Sequence, residues 1–146
     1  MPPLTYIDIL LRLSAAMGAG AVLGLDRELR GKPAGVRTMA LVALGSAMFV
    51  LMILSRTGGG DPSDISRVVQ GIITGVGFLG AGSILHGQIE SGVRGLTTAA
   101  SIWLAAALGI GSGLALWPIV LIAVSLGVLI LAAGPAEARL RRWFGA

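Results

Sequence analysis

The stretch GLTTAASIWLAAALGIGSGLALWPIVLIAVSLGVLILAAGPA, residues 95–136, decides the class of fold because its forty-two positions carry no charge. A helix needs about 20 apolar residues to cross a hydrocarbon core of about 30 Å, so the stretch is too long for one span. Glycine and serine at 109–113 offer a turn, and Trp117-Pro118 suits an interfacial restart of the chain. The stretch therefore predicts two transmembrane helices joined by a tight hairpin.

The composition extends this interpretation to the whole chain. Of 146 residues, 55% are hydrophobic and only 12% are charged, whereas a soluble domain carries about 25% charged residues. A soluble helical protein is disfavoured because too few polar side chains are available to cover its surface. We predict an all-α polytopic membrane helix bundle, a single transmembrane domain over 1–146, with about five helices near 7–25, 38–54, 68–86, 96–111 and 114–134.

Basic residues predict the orientation of the bundle, because short cytoplasmic loops are enriched in lysine and arginine. They concentrate in the first loop and in the tail, namely at Arg27, Arg30, Lys32, Arg37, Arg139, Arg141 and Arg142. With five spans, the N-terminus is predicted outside and the C-terminus in the cytoplasm. The start MPPLTYIDIL lacks the basic region of a signal peptide, so the first helix is expected to be retained.

Several classes of chemistry find no support in the residues. One histidine, His86, and no cysteine cannot build the usual transition-metal site, so no metal site and no cofactor are expected. No nucleophile–base pair is recognisable, so we expect no catalytic residues and no enzymatic activity. GVGFLG, residues 75–80, matches a dinucleotide motif but lies inside an apolar span. No nucleic-acid partner is expected, since the basic residues lie at the ends of apolar segments.

The segment GLDRELRGKPAGVRT, residues 24–38, packs six charges into fifteen residues. Orientation explains the basic residues but not the acids. The topology brings polar residues from three helix ends to the cytoplasmic mouth of the bundle, where we predict a cluster of Asp26, Arg27, Glu28, Arg37, Thr38, Arg94, Thr97 and Thr98. Arg37 and Arg94 are suitable bidentate partners for Asp26 and Glu28. Two interpretations stay open: a structural ion-pair lock, and a site for an ion, a lipid head group or a regulatory partner.

Polar and small residues recur at helical spacing inside the spans. Asp8 and Arg12 stand four apart in the favourable order for an ion pair. Together with residues of later helices they form a predicted intramembrane polar stripe of Asp8, Arg12, Gln70, Thr74 and Ser101. Small residues let helices approach closely, and hydroxyls can bond across the gap. We predict helix packing, and a homodimer, through the glycine-rich faces that contain Gly71, Gly75, Gly77, Gly80 and Gly82.

Three motifs in this order, GLDRELRGKPAGVRT, GVGFLGAGSIL and VRGLTTAASIWLAAALGIGSG, resemble the MgtC/SapB family of bacterial membrane proteins. The resemblance covers about residues 9–132. The family's charged motif corresponds to Asp26, Arg27 and Glu28, with Asp26 where a glutamate is expected. Its Arg-Thr and Arg-Gly-Leu-Thr-Thr motifs correspond to residues 37–38 and 94–98. Well-known virulence members carry an additional cytoplasmic C-terminal domain.

The resemblance implies a protein of the bacterial inner membrane, in a family tied to growth in low magnesium and to survival inside macrophages. It favours a non-enzymatic regulator that acts on partner membrane proteins in the lipid bilayer. A small ion or solute transporter is the alternative, because facing polar stripes are what a pathway through a bundle requires.

Overall fold

The computed structural model describes residues 4–56, 61–85 and 95–143, with only the backbone for Leu85 and 135–143. These residues form five α-helices and no strand: α1 Tyr6–Leu29, α2 Val36–Arg56, α3 Pro62–Leu85, α4 Leu96–Gly113 and α5 Trp117–Trp143. All five are long and apolar enough to cross a membrane. The predicted all-α bundle of five transmembrane helices is therefore confirmed, while the side on which each terminus lies stays a prediction.

Helix α3 begins six residues before the predicted boundary, at Pro62. Proline suits the first helical position because its missing N–H would have no partner there. The Asp61 side chain accepts a hydrogen bond of 2.8 Å from the Ser63 N–H. The backbone and side-chain hydrogen bonds of Ser63 hold the pKa of the Asp61 carboxyl below its ordinary value. The polar start of this helix is thus fixed by local capping.

The hairpin between the last two helices lies later in the sequence than the turn predicted at residues 109–113. Helix α4 continues to Gly113, and the turn is made by residues 114–116, with Ala115 at a φ of 56°. Gly109, Gly111 and Gly113 are buried inside α4. These glycines are used for close packing against neighbouring side chains and backbone rather than for the turn. Helix α5 then begins at Trp117, at the expected restart.

The centre of the bundle is built by α1, α2 and α4, which pack extensively on one another. In the span of α4, 56% of the residues are buried, against 11% in the spans of α3 and of α5. Leu23, Met39 and Leu108 are fully buried large side chains from the three central helices. Helices α3 and α5 therefore lie at the periphery, and most of their surface faces outward.

Glycines bring the three central helices together. A Cβ atom on Gly20 would meet the Met39 carbonyl carbon at 2.8 Å and the Ala43 Cβ at 2.9 Å. A Cβ atom on Gly109 would meet the Ala43 carbonyl carbon at 2.8 Å. Such close approach is possible only without a side chain. Helix α2 is therefore held between α1 and α4 through its small residues.

The glycines predicted to pack belong mostly to the open face of α3. A Cβ atom would have no neighbour within 4 Å at four of the five positions, Gly71, Gly75, Gly77 and Gly82. The fifth, Gly80, is buried and faces Ala99. A Cβ atom on Gly80 would lie 3.5 Å from the Ala99 Cβ, which is an ordinary van der Waals contact. Within the described chain, the expected close packing is thus made by α1 and α4 rather than by α3.

Candidate functional site

Two arginines of α1 join this helix to the two ends of α4. Arg12 donates a hydrogen bond of 2.8 Å from Nη1 to the Gly113 carbonyl oxygen, and Arg27 donates from Nη2 to the Thr98 hydroxyl. Because α1 and α4 run in opposite directions, the two contacts lie at opposite ends of the helix pair. Arg12 also brings a positive charge to the C-terminal end of α4, where the helix dipole favours a cation.

Among the residues whose side chains the structure describes, Arg27 is the buried charged residue, with 5% of its surface exposed. Its Nε is the buried side-chain nitrogen that has no hydrogen-bond partner in the described part of the chain. No carboxylate among the described residues forms an ion pair with it. The Thr98 hydroxyl is neutral and 2% of Thr98 is exposed. The guanidinium is therefore deeply buried and has no described carboxylate within ion-pair distance.

The two acids of the predicted cluster have local partners. Asp26 pairs with Arg30 at 2.7 Å, one turn later on the same helix. Glu28 accepts a hydrogen bond of 3.0 Å from the Val36 N–H and so caps the start of α2. This capping needs Gly35, since a Cβ atom there would collide with the Glu28 carboxylate. The expected partner Arg37 is not paired with either acid.

The remaining members of the cluster lie apart from Arg27. Arg37, Thr38 and Thr97 are exposed at the starts of α2 and α4. Arg94, which we expected to pair with an acid, lies outside the described residues. The structure thus brings Arg27 and Thr98 into contact, places Asp26 and Glu28 in the last turn of α1 beside Arg27, and leaves the other three described members exposed.

The residues of the predicted intramembrane stripe do not form one continuous polar face in the structure. Asp8 forms a capping box with Thr5 at the start of α1, where its Oδ2 accepts a 2.6 Å hydrogen bond from the Thr5 hydroxyl. Arg12 bonds to α4, as described above, rather than to Asp8. Ser101 is buried, but its hydroxyl donates to the Thr97 carbonyl oxygen of its own helix. We expected hydroxyls to form hydrogen bonds between helices. Among the described residues of the predicted cluster and stripe, the Thr98 hydroxyl does so, as the acceptor of the hydrogen bond from Arg27.

Gln70 and Thr74 lie on the outward surface of α3. Both are exposed, and the Thr74 hydroxyl donates to the Gln70 carbonyl oxygen at 2.8 Å. The Gln70 amide has no hydrogen-bond partner among the described residues. Beside them an open, apolar groove of about 540 Å³ runs between α2 and α3, and Gly45, Gly71 and Gly75 contribute to its lining. No three metal-ligating side chains come together within the described residues.

The profile of the MgtC family matches residues 13–139, which is most of the chain. The chain belongs to the MgtC family. It is 46% identical over 140 residues to protein SrpB of Synechococcus elongatus, covering 90% of this chain and 77% of that protein. No solved structure matches this member of the family. The comparison confirms the resemblance drawn from the three motifs, and together with the five apolar helices it identifies a multi-pass membrane protein.

Two further MgtC-family relatives are longer than this chain. YhiD of Escherichia coli K12, whose name describes a candidate magnesium transporter, is 44% identical over 116 residues, 73% of this chain and 52% of that protein. Protein MgtC of Salmonella typhimurium is 43% identical over 105 residues, 72% of this chain and 43% of that protein. The match thus covers about half the length of these two relatives.

Some residues of this MgtC-family site were missed in the sequence. Arg30 follows Asp26 by four positions, so the ordinary helical ion-pair spacing was a usable signal. The burial of Arg27 had no such signal, because an arginine at a span end is ordinarily a solvated orientation residue. The sequence predicts a turn at Gly113, whereas this residue belongs to α4 and its carbonyl oxygen accepts the hydrogen bond from Arg12.

Proposed function

We propose that this chain is a non-enzymatic regulator in the bacterial inner membrane that acts on partner membrane proteins during adaptation to low magnesium or envelope stress. The observation that carries the proposal is the outward direction of Gln70 and Thr74 on the peripheral helix α3. A pathway through the bundle would use such polar groups on its inside. An interaction surface uses them on the outside, where another protein supplies their partners.

The centre of the bundle supports the same function. Leu23, Met39 and Leu108 fill the space between α1, α2 and α4, and Gly20 and Gly109 bring the backbones into close contact. The described core is therefore filled by side chains and closely packed backbone, as in a structural core. Helix α3, by contrast, offers small residues, an unpaired amide and a groove on one surface. Family membership supports this assignment, since a relative of similar sequence is named MgtC.

The α3 surface also fits a second copy of this chain, and we include a homodimer in the proposal. The Gln70 amide has both donors and an acceptor, so two copies related by a two-fold axis can pair their amides with each other. Gly71 and Gly75 stand four apart with no neighbour within 4 Å of a Cβ position. This is the spacing at which small residues let two membrane helices approach.

Gly75→Leu is expected to weaken self-association about tenfold or more, because the leucine would occupy the surface on which the second helix packs. Energy transfer between labelled chains in lipid vesicles, measured against dilution in lipid, checks this. Gly18→Leu is the matched control, since Gly18 also has no neighbour within 4 Å of a Cβ position but lies on α1. Equal energy transfer in the two variants would remove the α3 homodimer.

The regulator itself is tested by cross-linking and purification of the full chain from native bacterial membranes. We expect a specific membrane protein to be recovered with the natural chain and with Gly18→Leu, and to be lost with Gln70→Leu. Thermal unfolding of each variant in detergent shows whether the fold is intact. Recovery that is unchanged by Gln70→Leu would contradict a partner site on α3.

A transporter is the second candidate, favoured by the name of YhiD as a candidate magnesium transporter. Purified chain in liposomes, with an imposed gradient of magnesium, potassium or protons, separates the two functions. The regulator predicts a flux equal to that of protein-free liposomes under each gradient. A flux that depends on the protein and is abolished by Arg27→Gln would establish the transporter and overturn the regulator.

A further inference from the structure

Arg27 is a buried cation to which no described carboxylate is bonded. Transfer of an arginine from water to a buried position is unfavourable unless its charge is paired and its N–H groups are hydrogen-bonded. Here one of five donors reaches the neutral Thr98 hydroxyl, and the buried Nε has no partner. Among the described residues, no anion with several acceptor oxygens is bonded to the guanidinium.

The guanidinium lies against the first turn of α4, which adds further unused donors. Gly95 is the N-cap of α4, and it supplies no side-chain hydrogen bond. The N–H groups of residues 96–98 point out of the helix start, as the first N–H groups of any helix do. Leu96 and Thr97 are exposed, so this turn is open to approach. Helix N-termini of this kind favour anions, and phosphate in particular.

The two acids at the end of α1 are bonded to groups other than Arg27. Asp26 is paired with Arg30, and Glu28 caps α2 through the Val36 N–H. The segment 24–38 carries four basic and two acidic residues, so a surplus of positive charge remains at this end of the bundle. Lys32 and Arg37 are exposed there. An approaching anion would therefore be attracted to the same end that contains Arg27.

We propose that Arg27, the Thr98 hydroxyl and the first turn of α4 bind a phosphate group, either that of an anionic lipid head group or free phosphate. Arginine presents planar paired donors that match phosphate oxygens, and the hydroxyl and helix N–H groups complete the set. Arg27 lies two residues before the end of α1, where a membrane helix reaches the level of the head groups. The site would bind its ligand from the end of the bundle at which the first loop lies.

Thermal unfolding of the full chain in dodecyl maltoside, followed by tryptophan fluorescence, tests this site. One arm titrates sodium phosphate against sodium chloride at matched ionic strength. The other arm titrates dihexanoyl phosphatidylglycerol against dihexanoyl phosphatidylcholine. We expect a rise in the unfolding temperature that saturates, because a ligand bound by the folded state stabilises it. Saturation by phosphate identifies free phosphate, and saturation by phosphatidylglycerol alone identifies a lipid head group.

Three variants decide whether the effect comes from Arg27. Arg27→Gln should raise the apparent dissociation constant about tenfold or more, since it removes the charge. Thr98→Val, which keeps the arginine, serves if Arg27→Gln does not fold, and should weaken binding in the same direction. Arg56→Gln is the matched control, because Arg56 is exposed at the opposite end of α2. The proposal is overturned if neither ligand gives saturable stabilisation, or if Arg27→Gln and Thr98→Val respond as the natural chain does.

Discussion

Replacing Gly109 with alanine is expected to lower the free energy of unfolding by about 2 kcal/mol, the range for forcing a methyl group into a filled core. The new Cβ atom would meet the Ala43 carbonyl carbon and the Ser46 Cβ, each at 2.8 Å. Backbone atoms cannot turn away as a flexible side chain can, so α2 and α4 must separate. The advantage of alanine over glycine in a helix, about 1 kcal/mol, offsets only part of this cost.

The midpoint of thermal unfolding in detergent measures the effect. Gly20→Ala should lower it as well, because its Cβ atom would meet the Met39 backbone. Gly18→Ala is the control on the same helix as Gly20, and it should leave the midpoint unchanged or raise it, since nothing lies within 4 Å of the new atom. If Gly109→Ala unfolds at the temperature of the natural chain, the close contact between α2 and α4 is wrong.

Replacing Thr98 with valine is expected to lower the free energy of unfolding by about 1.5–3 kcal/mol, the value of a hydrogen bond to a charged group. The substitution keeps the shape of the side chain and removes the hydroxyl that accepts a hydrogen bond from Arg27. Arg27 would stay 5% exposed with its one described partner gone. An uncompensated charge in a buried position is among the few causes of a large loss from a single substitution.

Thr97→Val is the matched control for this prediction. Thr97 occupies the same turn of α4, but its side chain is exposed. We therefore expect the unfolding temperature of Thr97→Val to stay close to that of the natural chain in the same detergent. Equal midpoints for Thr98→Val and Thr97→Val would mean that the contact between Arg27 and Thr98 contributes nothing to stability.

The number and class of the helices could be predicted because the bilayer imposes a length on each span. The charge-free stretch of residues 95–136 cannot cross once, and two crossings then follow from geometry alone. The position of the turn inside it could not be predicted as well. Glycine is favoured both in turns and where helices touch, and local sequence does not distinguish the two uses at Gly109 and Gly113.

The same ambiguity explains the different roles of the glycines. Gly71 and Gly75 have the spacing of a packing motif, yet they lie on an open face. Gly20 and Gly109 make the contacts within the chain because α1 and α4 are the helices that enclose α2. Which helix becomes central depends on how the surfaces of all the helices fit together. The sequence of a single span does not indicate which helices will pack on it.

The helix ends that contribute to the polar cluster could be predicted better than the pairs that its residues form. The first-loop segment and the start of α4 do meet, through Arg27 and Thr98. The partner of Asp26, however, is one turn away on its own helix. Local pairs need no tertiary arrangement to form, so Arg30 competes well with an arginine from another helix. Asp26 is therefore paired within its own helix rather than with Arg37.

The two arginine contacts of α1 limit how the bundle can rearrange. Arg12 and Arg27 are fifteen residues apart, and so are Thr98 and Gly113, so both contacts require the same register over about 22 Å. Sliding α1 along α4 by one turn, about 5.4 Å, would break both bonds at once. A conformational change in this protein would therefore move α1 and α4 together as one rigid unit.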